Sequence, residues 1–222
     1  MEKSEIALVG FFGLSAAVIA TLLLGRAVAA APRYPPIQFE YIPDIPVDKR
    51  GVGAEPIHNF IRPGEVADLY TDLGSTLACY DWVCRNIAKV ADPTEYWQYP
   101  LETVERGTGD CEDNAFLLTS LIRNEEAAYA VLGWFVYQYQ AWGHCWVSCR
   151  QCVFEPTLTQ MPTDPWQREE EMAAYYIPML YLTESEIYAL TGYPELITPY
   201  YGYVPDKRQA LEEFWRRRQL KV

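Results

Sequence analysis

Gly109-Asp110-Cys111-Glu112-Asp113 stands at the start of an apolar run whose three- and four-residue spacing predicts a helix to about Arg123. Thr108 or Asp110 can cap this helix, and Cys111 shares one helix face with Ala115, Leu118 and Ile122. A thiol attacks as its thiolate, which the positive end of a helix favours. The stretch therefore predicts a nucleophilic cysteine, although a cysteine taken alone is more often a small buried side chain.

A base and an orienting carboxylate follow later in the chain. His144 and Glu155 stand on either side of Arg150-Gln151, which we interpret as the turn of a β-hairpin. With that turn, Cys149 pairs with Cys152, and His144 and Glu155 become diagonal neighbours on one face of the sheet. Glu155 could then accept from one ring nitrogen while the other nitrogen takes the thiol proton. The other histidine, His58, lies in an irregular segment, so we prefer His144 as the base.

The acids around the cysteine oppose this chemistry if they point at the sulfur. Negative charges on Asp110, Glu112 and Asp113 would raise the pKa of the Cys111 thiol. We therefore expect these three side chains to serve as helix caps or cation ligands that face away from the sulfur.

The other cysteines allow different interpretations. A zinc site built from His144, Cys145, Cys149 and Cys152 is disfavoured, because His144 and Cys145 point to opposite faces of a strand. The Cys149-x-x-Cys152 spacing lies across the predicted hairpin, which favours a cross-strand disulfide or two buried thiols over a redox pair at a helix start. A redox-sensing role for Cys111 is a further alternative.

The charge and the N-terminus bear on partners and location. The formal net charge of −12 argues against nucleic acid as a partner. Residues 6–25 carry no charge and are long enough to cross a bilayer, which favours a retained anchor over a cleaved signal peptide. Two basic residues, Arg26 and Arg33, follow this run and one, Lys3, precedes it, so the positive-inside rule favours a cytoplasmic domain by a margin of one residue. The six cysteines are an even number, which is compatible with disulfides in an oxidising compartment. We expect a single-pass membrane protein with an extracytoplasmic catalytic domain, and the sequence leaves the side open.

The rest of the chain divides into an anchor at residues 1–30, a proline-rich spacer at 31–50 and one domain at 51–222. Within the domain, the apolar spacing predicts a helix over 65–90 that breaks near Gly74, and β-branched and aromatic residues predict a strand over 129–139. A short helix over 167–176 is an option, and a terminal helix is expected over 206–220.

Four blocks of the chain resemble the transglutaminase-like cysteine hydrolase superfamily, including its bacterial transglutaminase-like proteinase branch. These blocks are Trp97-Gln98-Tyr99-Pro100-Leu101-Glu102-Thr103, Gly107 to Asp113, His144-Cys145-Trp146-Val147 and Phe154-Glu155-Pro156-Thr157. The resemblance implies an α+β fold with a papain-like core, in which the cysteine-bearing helix packs on an antiparallel sheet. It also implies Cys111 as nucleophile, His144 as general base and acid, and Glu155 as orienter, where the family usually has Asp.

The resemblance extends to the oxyanion donors and to a metal. We expect the Cys111 backbone N–H and a group near Trp97 and Gln98 to bind the oxyanion, and Trp146 to lie at the substrate. No cofactor is required. Some proteinases of the superfamily bind calcium through acids that flank the cysteine, and these positions match Asp110, Glu112 and Asp113.

The expected function is that of a membrane-tethered thiol hydrolase or acyltransferase that acts on a peptide or amide bond of a protein or peptide substrate through a thioester. Protein cross-linking is less favoured, because no amine-acceptor site is recognisable in the sequence. The alternative is a catalytically silent binding or structural module that keeps the fold, with the aromatic segments Tyr96 to Tyr99 and Tyr200 to Tyr203 engaging a protein or glycan partner.

Overall fold

A computed structural model describes residues 39–92, 94–137 and 140–190. Within these ranges no helix is both long and apolar enough to cross a membrane. The predicted anchor at 1–30 and the predicted terminal helix at 206–220 lie outside the described residues, and so does the segment Tyr200 to Tyr203.

A seven-stranded antiparallel sheet forms the centre of the described fold. Its strands are β1 (Phe39–Tyr41), β6 (Ala128–Tyr137), β7 (Gln140–Cys149), β8 (Cys152–Phe154), β9 (Gln167–Arg168), β10 (Tyr176–Leu182) and β11 (Ile187–Leu190). Their order in the sheet is β1-β11-β10-β6-β7-β8-β9. Two short pairs lie outside it, with β2 (Pro46–Val47) antiparallel to β3 (Glu55–Pro56) and β4 (Ala88–Lys89) parallel to β5 (Thr108–Gly109).

The longer helices lie in the first half of the domain, and the two 3-10 turns Ile57–Phe60 and Pro63–Val66 precede them. The helices are α1 (Ala67–Leu73), α2 (Thr76–Asn86), α3 (Pro100–Arg106) and α4 (Cys111–Ile122), followed much later by the single turn α5 (Glu169–Met172). The predicted break at Gly74 is confirmed: this residue ends α1 with φ of 76°, a conformation that favours glycine. Ser75 then caps α2 by accepting from Ala78 N–H.

Helix α4 is the central helix of the core. It begins at Cys111, with Asp110 as the N-cap of the two predicted options, and ends at Ile122, one residue before the predicted end; every residue from Asp113 to Ile122 is buried. Phe116 on this helix contacts the rings of Phe60 and Trp97, with centroids 5.6 and 5.3 Å away. The predicted class, α+β with a large antiparallel sheet, is therefore confirmed.

The proline-rich spacer predicted over residues 31–50 is wrong for its second half. Strand β1 pairs with β11 at the edge of the main sheet, and the side chains of Ile45 and Val47 are buried. Arg50 donates to the Trp97 carbonyl at 2.8 Å and pairs with Glu102 at 2.8 Å. Residues 39–50 are thus part of the folded domain, because alternating apolar residues between the prolines give this segment something to bury.

The second half of the sheet differs from the prediction in extent. Strand β7 begins at Gln140, and its register with β6 runs from Ala128↔Cys149 to Tyr137↔Gln140. The optional helix over 167–176 reduces to strand β9 and the turn α5. Strands β10 and β11 were not predicted. The register of β10 with β6 shifts between Pro178 and Leu180, and such an irregularity tolerates a proline in a strand.

Candidate active site

Helix α4 is capped by the acids of its own first turn. The Asp110 carboxylate accepts from the backbone N–H groups of Glu112 and Asp113 at 3.2 and 3.4 Å, and the Asp113 carboxylate accepts from Asp110 N–H at 3.1 Å. This reciprocal capping box satisfies N–H groups that have no partner inside the helix. The predicted capping role is therefore confirmed for Asp110 and Asp113.

The thiol of Cys111 is half-buried and donates to Glu112 Oε2 at 2.9 Å. Burial, followed by the charges of Glu112 and Asp110, raises the pKa of the Cys111 thiol well above its usual value, and the charge of Lys89 acts in the opposite direction. The expectation that all three acids face away from the sulfur is wrong for Glu112. The carboxylates of Asp110 and Asp113 accept hydrogen bonds from backbone N–H groups, whereas the carboxylate of Glu112 contacts the thiol.

An Asp110→Asn variant should flatten the pH dependence of stability. Burial and the charge of Glu112 raise the pKa of Asp110 from 3.8 to about 8, so between these values the folded state holds a proton that the unfolded chain has released. The contribution of Asp110 to the free energy of unfolding should therefore be greatest at acidic pH and fall by about 1.4 kcal/mol per pH unit as pH rises toward 8. Asparagine keeps the N-cap but cannot titrate.

Urea denaturation at pH 5, 6, 7 and 8 measures this difference between the wild-type protein and the variant. Equal slopes of unfolding free energy against pH in the two proteins would contradict it.

The calcium ligands implied for Asp110, Glu112 and Asp113 are not assembled as a group. Among the described residues, no three His, Cys, Asp or Glu side chains are arranged to hold a metal ion. Asp110 and Asp113 cap the helix, and Glu112 contacts the thiol. Calcium binding therefore stays a prediction from the resemblance alone.

The hairpin that carries the base has the predicted register. Cys149 pairs with Cys152 across the turn, and Arg150 and Gln151 have φ of 52° and 58°. Two consecutive positive φ values are typical of a type I′ turn, whose twist matches that of the strands. This register brings His144 Nε2 to 2.6 Å from Glu155 Oε2, and both side chains are buried. The predicted contact between these two residues is confirmed.

Glu155 is held by four hydrogen-bond donors. Its Oε1 atom accepts from the Thr157 N–H at 3.1 Å and from the Thr157 hydroxyl at 2.5 Å. Its Oε2 atom faces His144 and also accepts from the Tyr176 hydroxyl at 3.0 Å. Burial acts to raise the pKa of Glu155. The charge and hydrogen bond of His144, together with the hydrogen bond of Thr157, outweigh burial and hold this pKa below its usual value. The carboxylate is therefore ionised and fixed in one orientation.

The backbone of Glu155 is fixed as well. The Tyr80 hydroxyl of α2 accepts from Glu155 N–H at 2.9 Å and lies 3.3 Å from the Glu155 carbonyl, to which it donates. The Tyr80 ring stacks on Phe154 with a centroid distance of 4.7 Å. Helix α2 thus anchors the end of β8, where the sequence offered no sign of such a contact.

The imidazole of His144 lies among aromatic rings. The Trp146 ring stacks beside the imidazole with a centroid distance of 6.2 Å, and the rings of Phe135 and Tyr176 have centroids 6.0 and 6.2 Å from that of the imidazole. Gly133 makes room for this arrangement, because a Cβ there would come within 2.5 Å of the Trp146 ring and 2.3 Å of the Ile177 carbonyl. The surrounding rings limit the orientations that the imidazole can adopt.

The oxyanion and substrate roles of Trp97, Gln98 and Trp146 stay predictions, and the structure shows the present contacts of these residues. Gln98 Nε2 donates to Asp113 Oδ2 at 2.8 Å and to the Thr108 carbonyl at 3.2 Å, which uses both of its hydrogens. Trp97 and Trp146 are only 1 % exposed. The bond from Gln98 to Asp113 links the Gln98 loop to α4. Trp146 packs against His144, and Trp97 packs against Phe116 of α4. The backbone N–H of Cys111 remains the candidate oxyanion donor.

The cysteines other than Cys111 are buried free thiols in the described structure, which fits one of the two options left open for Cys149 and Cys152. Cys145 lies on the opposite face of β7 from His144. Burial, followed by the charges of Glu112 and Asp110, raises the pKa of the Cys145 thiol well above its usual value.

A cavity of about 400 Å³ adjoins the start of α4. Its wall includes Gly109, Asp110 and Gln98, together with Tyr96 and Thr108. The cavity wall reaches Asp110, the residue directly before Cys111.

No protein-family model matches the chain, and comparison with curated proteins finds no match. The resemblance to transglutaminase-like hydrolases therefore rests on the sequence blocks alone.

Proposed function

We propose that this chain is a membrane-tethered thiol hydrolase with a papain-like site, which cleaves a peptide or amide bond through Cys111, His144 and Glu155. The observation that carries the proposal is the buried contact of 2.6 Å between His144 Nε2 and Glu155 Oε2. Glu155 fixes the tautomer in which Nε2 holds a proton, so Nδ1 is the ring nitrogen that can accept one. The uncharged run at residues 6–25 is the basis for the tether.

In the proposed reaction, His144 Nδ1 takes the Cys111 proton and the thiolate attacks the carbonyl carbon of the substrate. The Cys111 backbone N–H binds the oxyanion that forms. The imidazolium then donates its proton to the leaving amine, and the carbon–nitrogen bond breaks to leave a thioester. Water gives a proton to His144 and attacks the thioester carbon. The carbon–sulfur bond then breaks, which releases the carboxylic acid, and His144 returns its proton to the sulfur to restore the thiol. An amine in place of water would give acyl transfer.

This reaction requires the thiol to change partners. In the structure the thiol donates a hydrogen bond to Glu112 Oε2. This bond and the charge of Glu112 favour the protonated form of the sulfur. Catalysis therefore requires the Cys111 side chain to leave Glu112 and to meet His144 Nδ1. Hydrogen bonds of catalytic groups are often longer before substrate binds than in the complex.

Cleavage of a peptide library by the full-length protein tests the proposal. The products formed by the wild-type protein are compared with those formed by Cys111→Ala and His144→Gln, and His58→Gln serves as the matched histidine control. We expect products from the wild-type protein and His58→Gln that are absent with the other two variants, and a mass-detected acyl adduct on Cys111. Identical product profiles for the wild-type protein and Cys111→Ala would refute the hydrolase.

A second function, a silent binding or structural module, is favoured by one specific observation. The bond from Cys111 to Glu112 and the raised thiol pKa describe a cysteine that is protonated at neutral pH. If the thiol never leaves Glu112, the site cannot form a thiolate. The cleavage comparison separates the two functions, because a binding module gives no product that depends on Cys111.

A further inference from the structure

Tyr176 lies in β10, a strand outside the four sequence blocks, yet it reaches the candidate site. Its hydroxyl donates to Glu155 Oε2 at 3.0 Å, and this is the oxygen that His144 Nε2 approaches at 2.6 Å. The Tyr176 side chain is buried, and burial followed by the charge of Glu155 raises the pKa of its hydroxyl well above the usual value. The hydroxyl therefore keeps a proton to donate.

The ring of Tyr176 is held in this position from two sides. It meets Trp146 edge-to-face at 5.0 Å and Phe135 at 5.2 Å. Tyr176 is also the register partner of Phe135, and the carbonyl of Tyr175 accepts from Val136 N–H at 2.7 Å. Trp146 contacts His144 as well, so one set of rings orients both donors to Glu155 Oε2.

We propose that Tyr176 is a positioning residue that shares Glu155 Oε2 with His144 and thereby limits how strongly the carboxylate binds the imidazole. Orientation of the carboxylate does not need Tyr176, since Thr157 already holds Oε1 through its N–H and its hydroxyl. A second donor on Oε2 draws negative charge from that oxygen, which weakens its bond to the imidazole. A base that must give up and accept protons at each turnover needs a carboxylate that does not over-stabilise the imidazolium. The inference rests on the proposed function for its purpose, but its structural content can be tested without turnover.

The test is the proton spectrum of the His144 ring in full-length protein labelled with nitrogen-15 in histidine. The chain has two histidines, and His58→Gln assigns them. Removing the hydroxyl in Tyr176→Phe should move the Nε2–H proton of His144 downfield, because Glu155 Oε2 then binds His144 alone. Tyr181→Phe is the matched control, since Tyr181 lies on the same strand and its hydroxyl bonds to Glu169 instead.

If the chemical shift of the His144 Nε2–H proton in Tyr176→Phe is unchanged from the wild-type protein, as expected for Tyr181→Phe, the proposal is overturned and Tyr176 has only a structural role. If Tyr176→Phe does not fold, 3-fluorotyrosine at position 176 provides a second test. Its more acidic hydroxyl is a stronger donor, so the His144 proton should move upfield, and an unchanged or downfield position would overturn the proposal. Both measurements work in a Cys111→Ala background, so failure of the hydrolase proposal and failure of this inference are separate outcomes.

Discussion

Replacing Glu155 with alanine should lower the free energy of unfolding by about 3–5 kcal/mol, the usual cost of removing one partner of a buried charged pair. The side chain is completely buried and accepts hydrogen bonds from His144, Tyr176 and Thr157. Truncation leaves these donors without an acceptor in a region that water does not reach. Urea denaturation measures the loss, and Glu170→Ala, at a side chain that is 78 % exposed, is the control expected to change stability by less than about 0.5 kcal/mol.

Glu155→Gln separates the chemical role of this residue from its structural one. Glutamine keeps the shape but carries no charge, and its amide group can present a donor to His144 or Thr157. If the proposed hydrolase is correct, the Cys111-dependent cleavage rate should fall by about 10³- to 10⁴-fold, as for orienting carboxylates in comparable triads. A folded Glu155→Gln protein that keeps its cleavage rate within a few fold would show that Glu155 takes no part in catalysis.

The contact between His144 and Glu155 could be predicted because local rules fix it. A two-residue turn sets the register of a hairpin, and the period of two in a strand then decides which side chains share a face. The capping of α4 could be predicted for the same reason, since Asp110 and Asp113 act within one helical turn. These features depend on residues that are close in the sequence.

Tyr176 and Tyr80 could not be found in this way, because they reach Glu155 from elements that are distant in the sequence. Pro178 also obscured strand β10, which accommodates it at a register shift. The direction of Glu112 was likewise not predictable, because a first-turn side chain beside a thiol has no periodic pattern to orient it. The contacts of Gln98 were not predictable either, because its bonds to Asp113 and to the Thr108 carbonyl are tertiary contacts that no motif reveals.

Replacing Glu112 with glutamine should increase the reactivity of the Cys111 thiol. Glu112 Oε2 accepts from the thiol at 2.9 Å, and its charge is, after burial, the largest cause of the raised pKa of Cys111. Glutamine has nearly the same size but no charge, so the thiolate becomes easier to form. We expect alkylation of Cys111 by iodoacetamide to accelerate on the order of tenfold or more, since each unit of thiol pKa changes the thiolate fraction tenfold.

The gain should widen as pH rises. Burial raises the pKa of Glu112, so this side chain opposes the thiolate most strongly once the pH is high enough to ionise it. Peptide mapping by mass spectrometry after timed alkylation at pH 6, 7, 8 and 9 follows Cys111 separately from the buried thiols. Glu105→Gln removes one exposed acid from the neighbouring helix α3 and controls for the change in net charge. Equal alkylation rates in all three proteins would contradict a restraining role for Glu112.

A double variant then tests whether the released thiol meets the base. With Glu112 removed as acceptor, His144 Nδ1 is the partner that the proposed reaction requires, and it should account for part of the gain in reactivity. The Glu112→Gln, His144→Gln protein should therefore react more slowly at pH 7 than Glu112→Gln alone, whereas the Glu112→Gln, His58→Gln protein should not. If both double variants react as fast as Glu112→Gln, the thiol is activated only by losing the carboxylate, and Cys111 and His144 do not form a catalytic pair.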